Sequence, residues 1–534
     1  MKENKAVKKP NKAKKQATEK KGLFSKNPIT IIKEQFTGLA PSKGEKYVWS
    51  KERTWNAVHI VNYLIVILAI AASAMVLSKV VQMKVLPTRY FAIVVIFLAV
   101  IIGLNIFLSN KRIACVVMMV ICLAMSVVEF MGYNMLKKAE ETIDSLSNET
   151  QITVMEIRAL SGHAVEKVED FKDYNVGIMT TRDRKYADNT INEINKAIGG
   201  EVTVIECDDD IFTLVDKLYA EEVDAIVINS ALVDMIVEEE GYTDFLTKTK
   251  SVHAVEISET IQKQEPPTVE PEKPFDITKD PFAVYISGID TYGSVTRKSR
   301  SDVNIVMVVN PTTKKILLVN TPRDFYVPLP ISDGVPDKLT HAGIYGVDVS
   351  VGALEMLYDI DIKYYLRMNF TGFITIIDAL GGIDVYSKYE FSKGGYTFVK
   401  GENKNLSGEA ALVFARERKS FASGDRQRGK NQMAVITAMI KKMASSQLLY
   451  NYYEIMDAVS GSFQTSLSSE EIYSLVKMQI DNMVGWEITS HSADGNGASM
   501  TTFTRPNNKA YVMVPNEDTI TAAKEKIAAI MSGN

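Results

Sequence analysis

The chain has 534 residues, a net charge of −4, three cysteines and five histidines. Cys115 and Cys122 lie in an apolar run, which leaves Cys207 alone in the rest of the chain and excludes a disulfide framework or a cysteine-based zinc site there. Scattered histidines argue against a multi-histidine centre, so we expect any metal to be a hard cation held by carboxylates. The length suggests two to four domains.

The N-terminal segment is strongly basic, although the chain as a whole is acidic. Met1–Asn56 holds fifteen Lys and Arg against five Glu, and Ala57–Leu136 adds a net charge of +4, so the remainder carries −18. We interpret residues 1–56 as a basic cytoplasmic tail, because positively charged segments flanking membrane spans stay in the cytoplasm.

Three apolar runs follow the tail and predict a membrane anchor over residues 57–136. The runs are Ala57–Leu77, Tyr90–Leu108 and Ile113–Met131, each close to the ~20 residues that cross a bilayer as a helix. Helices of a soluble core are the alternative, which three such runs with short polar flanks disfavour. Three crossings from a cytoplasmic N-terminus place everything after Met131 outside the cell, as in a multi-pass protein of the cell membrane.

An alternation of strand and helix patterns predicts a small α/β domain at residues 137–262. The segments "YNVGIMT", "EVTVIEC", "DAIVINSA" and "HAVEIS" are typical of strands, and "ADNTINEINKAIGG" and "DDDIFTLVDKLYAEE" of helices. We interpret the three aspartates from Asp208 to Asp210 as a helix cap. A proline-rich linker at 263–280 precedes the last domain, at 281–534. The overall fold class is α/β (α+β).

Two carboxylates mark strand ends in the last domain. Asp290 ends the strand pattern "FAVYISGID", and Asp302 opens the first of two strands joined at Asn310–Lys314, the second being followed by Arg323. One edge of a sheet can bring Asp290 and Asp302 together, and their repulsion would then require a cation or a proton. Mg²⁺ with its waters and a phosphate would meet this need. Two solvated loop aspartates are an equal alternative at this point.

The segment "ARERKSFASGDRQRGKNQ", Ala415–Gln432, gathers six cations against Glu417 and Asp425. It joins a helix ending near Arg416 to a second helix that we expect to begin near Gly429. Arg428 and Gln432 are four residues apart and so share a helix face. A helix N-terminus and planar guanidinium groups both favour phosphate, so the segment indicates phosphate binding and phosphoryl transfer rather than a solvated surface loop.

Together these motifs resemble the LytR-CpsA-Psr (LCP) family, most closely its capsule-linked CpsA-type members. The matching segments are "GID" at Asp290, "SRSD" at Arg300 and Asp302, "NTPRD" at Arg323, "ALGGIDV" at Gly381–Val385, and "LSGEAALVFARER" followed by "GDRQRGKNQ". The three-span anchor and the extra α/β domain also match the CpsA-type layout. The resemblance implies an LCP-type domain with a central sheet wrapped by helices and an apolar cleft for a lipid chain.

The family resemblance implies an extracellular phosphotransferase that moves a glycan phosphate from a polyprenyl-pyrophosphate carrier to peptidoglycan. It implies that Asp290 and Asp302 hold Mg²⁺, with Mn²⁺ as an alternative. The residues implied to bind pyrophosphate are Arg300, Arg323, Arg416, Arg418 and Arg428, with Gln432 in the polar shell. The implied catalytic set is Asp302, Asp425 and Arg323, and either aspartate is a candidate general base.

The implied partners are a polyprenyl-pyrophosphate-linked glycan, the peptidoglycan acceptor, membrane lipid and other capsule assembly proteins. Two other functions compete with transfer. A transcriptional regulator or attenuator would use the basic tail on nucleic acid, but we find no helix-turn-helix pattern and do not expect a nucleic-acid partner. A non-catalytic scaffold of a capsule assembly complex would bind the lipid-linked glycan without metal-dependent release of polyprenyl phosphate.

Overall fold

A computed structural model of the chain describes residues 51–147, 150–180, 183–208, 210–261, 274–289, 294–445, 452–459 and 461–533. These residues form two compact units. The first contains the described residues up to Ser78 together with Arg89–Tyr133, and the second contains Lys79–Thr88 and the described residues from Asn134 onward. Most of the basic tail, most of the predicted linker and Asp290 lie outside the described residues.

The part of the chain that the structure describes has three helices long and apolar enough to cross a membrane, as the sequence predicted. They are α1 (Lys51–Met83), α2 (Thr88–Leu108) and α3 (Arg112–Leu146). Large apolar side chains such as Leu64, Ile96 and Val128 are exposed on them, as lipid contact requires. Within the first unit, the Ser73 hydroxyl of α1 donates a 2.6 Å hydrogen bond to one oxygen of the buried Glu129 carboxylate of α3, which links two apolar helices.

A five-stranded sheet forms the small α/β domain, hereafter the accessory domain. Its strands, in the spatial order β3-β2-β4-β1-β5, are β1 (Thr150–Leu160), β2 (Asn175–Met179), β3 (Thr203–Cys207), β4 (Ala225–Asn229) and β5 (Thr249–Thr260). Its helices are α4 (Arg184–Ile198), α5 (Ile211–Tyr219), α6 (Val233–Val237) and α7 (Phe245–Lys248). The Asp210 side chain accepts from the backbone N–H groups of Phe212 and Thr213, which confirms its predicted role as a helix cap.

The last domain, which the family resemblance implies to be catalytic and which is hereafter called the catalytic domain, is built on a six-stranded sheet in the order β16-β11-β6-β7-β8-β17. Its strands are β6 (Phe282–Ile289), β7 (Ser301–Asn310), β8 (Lys315–Asn320), β9 (Tyr326–Pro328), β10 (Pro336–Lys338), β11 (Tyr364–Asn369), β12 (Ile383–Ser387), β13 (Phe391–Lys393), β14 (Tyr396–Phe398), β15 (Gly401–Leu406), β16 (Phe463–Thr465), β17 (Glu487–Ser492), β18 (Gly495–Met500) and β19 (Ala510–Pro515). Its helices are α8 (Leu339–Tyr345), α9 (Val347–Tyr358), α10 (Phe370–Ala379), α11 (Gly408–Arg416), α12 (Asp425–Met443), α13 (Tyr452–Val459), α14 (Ser469–Asn482) and α15 (Glu517–Ser532).

Both faces of the six-stranded sheet are buried. Successive side chains of a strand point to opposite faces, so Tyr285 of β6 joins one core while its neighbour Ile286 joins another. The first core includes Leu354 of α9 and Ile527 of α15, and the second includes Ile436 of α12. A central sheet with helices packed on both faces is therefore confirmed.

Strand pairing brings several strand ends to one edge of this sheet. Strands β6 and β11 are parallel, with Ile289 opposite Asn369 at their carboxyl ends. Strand β7 is antiparallel to β6, so Ser301 at its start lies beside Ile289. Strand β8 is antiparallel to β7 and ends near the same edge, with Asn320 opposite Ile305. The residues that follow or open these strands are therefore neighbours in space.

Candidate active site

A cavity of about 400 Å³ lies at this edge of the sheet. Its charged and amide side chains are Glu238, Asp302, Arg323, Asn369, Arg416, Arg418, Arg428 and Gln432. The rest of its wall is largely apolar and includes Ile286, Met368, Phe370, Phe373, Val435 and Ile436. The cavity therefore combines a cluster of arginines with a surface suited to hydrocarbon.

The edge strands hold the first ion pair of the cavity. Asp302 is the second residue of β7 and Arg323 lies in the turn after β8, and the Arg323 Nη1 donates a 2.7 Å hydrogen bond to the Asp302 Oδ1. The Thr340 hydroxyl donates to the same oxygen at 3.3 Å. Burial alone would lower the pKa of Arg323, but the carboxylates of Asp302 and Asp324 outweigh it and raise that pKa. Arg323 is therefore a permanent cation held in a fixed place.

The end of α11 and the short turn after it carry the next two arginines. The buried Glu417 carboxylate accepts a 2.7 Å hydrogen bond from the Ser420 backbone N–H and so closes the turn. Arg416 lies over the Phe370 ring, with its guanidinium carbon 4.2 Å from the ring centre. Arg418 is exposed and lines the cavity. The acidic residue between the two arginines therefore orders the loop that presents them.

Helix α12 supplies the remaining polar groups and begins earlier than predicted. It starts at Asp425 rather than near Gly429, so Arg428 already belongs to its first turn. Arg428 and Gln432 are 9% and 8% exposed and both line the cavity, as their spacing of four predicts. Asp425 forms an ion pair with Arg428. Burial raises the pKa of Asp425, which outweighs the opposing charge of Arg428.

The cavity thus brings together Asp302, Arg323, Arg416, Arg418, Arg428 and Gln432. Three other sequence-predicted residues have different surroundings. Asp425 adjoins the cavity through its pair with Arg428, Arg300 is paired with Glu238, and Asp290 lies outside the described residues. Arg426, another cation of the Ala415–Gln432 segment, does not line the cavity and forms an ion pair with Asp494 at 2.5 Å.

Residues 245–528 match the model of the LytR_cpsA_psr family. The chain belongs to the LytR-CpsA-Psr family. The matched region contains every charged or amide side chain that lines the cavity except Glu238, and it begins before residue 281, the predicted start of the last domain.

Two relatives and one solved structure illustrate what part of this chain resembles. The polyisoprenyl-teichoic acid–peptidoglycan teichoic acid transferase TagU of Bacillus cereus (strain AH820) is 35% identical over 221 residues, which cover 41% of this chain and 72% of the relative. The TagU protein of Halalkalibacterium halodurans is 34% identical over 249 residues, or 46% of this chain and 78% of the relative. The crystal structure of TagV from B. subtilis aligns with 28% identity and a TM-score of 0.41, covering 48% of this chain and 99% of that structure.

Two parts of the LCP cavity were missed from the sequence. Glu238 belongs to the run "VEEEGY" of the accessory domain, whose acidic residues are typical of a solvated surface and gave no signal of a site. The apolar wall uses Phe370 and Phe373, which start α10 directly after β11. Their spacing of three residues places both on one helix face, and this spacing was the sequence signal from which the apolar wall could have been predicted.

The described residues test only part of the expected metal site of this LCP protein. No group of three or more His, Cys, Asp or Glu side chains that could hold a metal occurs among them. Mg²⁺ does not need such a group, because it commonly binds one or two carboxylates together with waters and substrate phosphate. Asp302 fits this role as a hard oxygen ligand in the cavity wall, whereas the contribution of Asp290 stays a prediction.

A close helix approach fixes the segment that carries Arg300 and Asp302. A Cβ built on Gly343 of α8 would lie 2.5 Å from the Ser299 carbonyl oxygen and 3.0 Å from the Ser301 nitrogen. We expect Gly343→Ala to lower the free energy of unfolding by about 1–2 kcal/mol, because overpacking costs about 1–3 kcal/mol and the gain in helix propensity returns less than ~1 kcal/mol. Chemical denaturation of the two proteins measures this difference.

Gly485→Ala is the control for this measurement, because its added Cβ would meet nothing within 4 Å. It should change the free energy of unfolding by less than about 0.5 kcal/mol. Equal stability of Gly343→Ala and the parent would contradict the close approach of α8 to the Ser299–Ser301 segment.

Proposed function

We propose that this chain is a membrane-anchored phosphotransferase that moves a glycan phosphate from a polyprenyl-diphosphate carrier to peptidoglycan outside the cell. The glycan is a capsular polysaccharide or another cell-wall glycopolymer. Two relatives carry a name that describes a transfer of this type, from a polyisoprenyl-linked teichoic acid to peptidoglycan. The basic tail favours a cytoplasmic N-terminus, and three spans then leave the catalytic domain on the outer side.

The observation that carries this proposal is the composition of the cavity. The cavity is lined by Arg323, Arg416, Arg418 and Arg428 and also by several aromatic and aliphatic side chains. A diphosphate head needs bidentate cationic donors, and a prenyl chain needs apolar surface. A prenyl diphosphate is the class of ligand that has both parts. The membrane anchor suits a substrate that resides in the bilayer, because tethering raises its effective concentration.

In the proposed reaction, an acceptor hydroxyl of a peptidoglycan sugar attacks the phosphorus atom attached to the glycan. A new P–O bond joins glycan phosphate to peptidoglycan as a phosphodiester, and the bond to the leaving polyprenyl phosphate breaks. The arginines stabilise the charge that grows on the phosphate oxygens, which is the main requirement of phosphoryl transfer. The proton of the acceptor hydroxyl passes to a carboxylate, for which Asp302 and Asp425 are the candidates.

We further propose that the enzyme uses Mg²⁺, with Mn²⁺ as an alternative, held by Asp302 and Asp290. When bound, this ion would neutralise charge on the diphosphate and help to align it. Arg323 keeps the Asp302 carboxylate oriented through the 2.7 Å hydrogen bond, so that carboxylate faces the cavity in a defined position.

The test is a transfer assay with the purified full-length protein in detergent. It contains a polyprenyl-diphosphate-linked glycan and peptidoglycan, with Mg²⁺ or with EDTA, and measures phosphodiester-linked product and released polyprenyl phosphate. We expect product with Mg²⁺ and at least about 10²-fold less with EDTA, since a bound metal ion contributes several kcal/mol to the transition state. Donor binding without release of polyprenyl phosphate would identify a scaffold instead. Release with water as the sole acceptor would overturn the assignment as a transferase.

A further inference from the structure

The accessory domain is joined to the segment that carries Arg300. The Ile152 backbone N–H of β1 donates a 2.9 Å hydrogen bond to the Thr296 carbonyl, and the Lys298 N–H donates to the Ile152 carbonyl at 2.9 Å. Arg505 of the catalytic domain also contacts Glu239 of the accessory domain at 2.7 Å. The two domains belong to one compact unit, and these contacts lie between them.

Glu238 extends from the end of α6 into the wall of the cavity. Its two carboxylate oxygens accept hydrogen bonds from the two terminal nitrogens of Arg300, at 2.6 and 2.9 Å. Burial alone would raise the pKa of Glu238, but its hydrogen bonds and ion pair with Arg300 hold that pKa below its usual value. Glu238 is therefore an anion at neutral pH, paired with a cation of the catalytic domain.

The two members of this pair differ in their access to the cavity. Arg300 is only 7% exposed, whereas the Glu238 side chain is 56% exposed and lines the cavity. The Arg300 Nε is buried and has no hydrogen-bond partner among the described residues. The hydrogen-bonding capacity of the Arg300 guanidinium is therefore only partly used, which is unfavourable for a buried polar group.

Bidentate pairing with arginine is common to carboxylates and phosphates. Glu238 therefore occupies Arg300 in the way that a phosphate group of a ligand would. Glu238 occupies both terminal nitrogens of Arg300, and the Asp234 carboxylate lies 3.7 Å from one of them. An anionic ligand can bind these two nitrogens only by replacing Glu238, whose exposed side chain is free to turn away towards solvent.

We infer that Glu238 is an affinity-determining residue of the diphosphate site, contributed by the accessory domain. Its carboxylate pairs with Arg300, and the diphosphate of the donor displaces it. This inference rests on the function proposed above. It gives the accessory domain a direct part in substrate binding. The sequence alone had assigned no chemical role to that domain.

The test measures binding of geranyl diphosphate to the full-length protein by calorimetry, with Mg²⁺ present. Glu238→Gln should bind roughly tenfold more tightly than the parent, because the competing charge is removed. Glu239→Gln is the matched control, since it removes the same charge and an ion pair between the same two domains but does not line the cavity. Its affinity should equal that of the parent, and melting temperatures report any loss of folding in either variant.

A crystal structure of the parent with geranyl diphosphate supplies the second measurement. We expect the Arg300 guanidinium to contact a phosphate oxygen and its pair with Glu238 to be broken. An unchanged or weaker affinity of Glu238→Gln, or a bound structure with the pair intact, would overturn the inference while leaving the transferase proposal standing. If neither the parent nor Glu238→Gln binds geranyl diphosphate, the proposed function itself fails and this inference fails with it.

Discussion

Replacing Arg418 with alanine is expected to reduce glycan transfer at least about 10²-fold, the usual effect of removing one group that stabilises transition-state charge. Arg418 lines the cavity, is exposed and belongs to the turn that Glu417 closes. Its loss should therefore leave the melting temperature unchanged. Arg418→Lys should retain part of the activity, because it keeps the charge but not the bidentate geometry. Initial rates with the lipid-linked donor measure both effects.

Lys430→Ala is the control for the arginine, because it removes a cation from an exposed position on α12. We expect it to transfer glycan at nearly the parent rate, which would separate a specific phosphate contact from a general loss of positive charge. Parent activity in Arg418→Ala would show that the arginine cluster is not the site of transfer.

Asp302→Asn is expected to lower transfer at least about 10²-fold and to abolish the dependence of the rate on Mg²⁺ concentration, since a metal ion supplies several kcal/mol in such reactions. The substitution keeps the size of the side chain, which is only 14% exposed, and retains an oxygen that can accept from Arg323. It removes the negative charge that a hard cation requires. Rates measured over a series of Mg²⁺ concentrations, together with calorimetric titration of Mn²⁺, report the loss.

Asp333→Asn is the matched control for the charge change. Asp333 is exposed in a turn and has a positive φ of 48°, a conformation that asparagine also accepts readily. This variant should keep the parent rate and the parent response to Mg²⁺. If Asp302→Asn showed the same behaviour as this control, the cavity carboxylate would have no part in metal binding or catalysis.

Patterns within a single element were sufficient to predict much of the fold. The paired strands β7 and β8 followed from apolar runs separated by a turn at Asn310–Lys314, and their observed bounds are Ser301–Asn310 and Lys315–Asn320. The spacing of Arg428 and Gln432 predicted that both lie on one face of a helix, and both line the cavity. These features depend on local periodicity, which the sequence carries directly.

The predicted start of α12 was wrong. The observed start depends on a contact with a residue that is distant in the sequence, which local patterns do not report. The sequence predicted that the helix begins near Gly429, a residue type that is disfavoured in helix interiors. Within the helix, however, a Cβ on that residue would lie 2.8 Å from the Asn320 side-chain carbon Cγ. The glycine therefore allows α12 to pack closely against the end of β8, and no local pattern reports that approach.

The pair of Glu238 with Arg300 could not be predicted for a related reason. The two residues are 62 positions apart and belong to different domains, so their contact depends on how the accessory sheet packs against the catalytic domain. The acidic run around Glu238 has the composition of an ordinary surface. Only the tertiary structure shows that one of its carboxylates enters the cavity.

The hydrogen bonds between β1 and the segment ahead of Arg300 have a consequence for inherited and engineered variants. Ile157 and Phe171 are fully buried in the core of the accessory domain and do not belong to the arginine cluster. Substitutions at either residue would loosen that core. The resulting loss of order would nevertheless spread to the edge of the six-stranded sheet that holds the cavity, because Ile152 anchors the segment ahead of Arg300 through its backbone. A screen for inactive variants would thus recover substitutions throughout the accessory sheet. Loss of activity alone would not show that a residue takes part directly in the reaction.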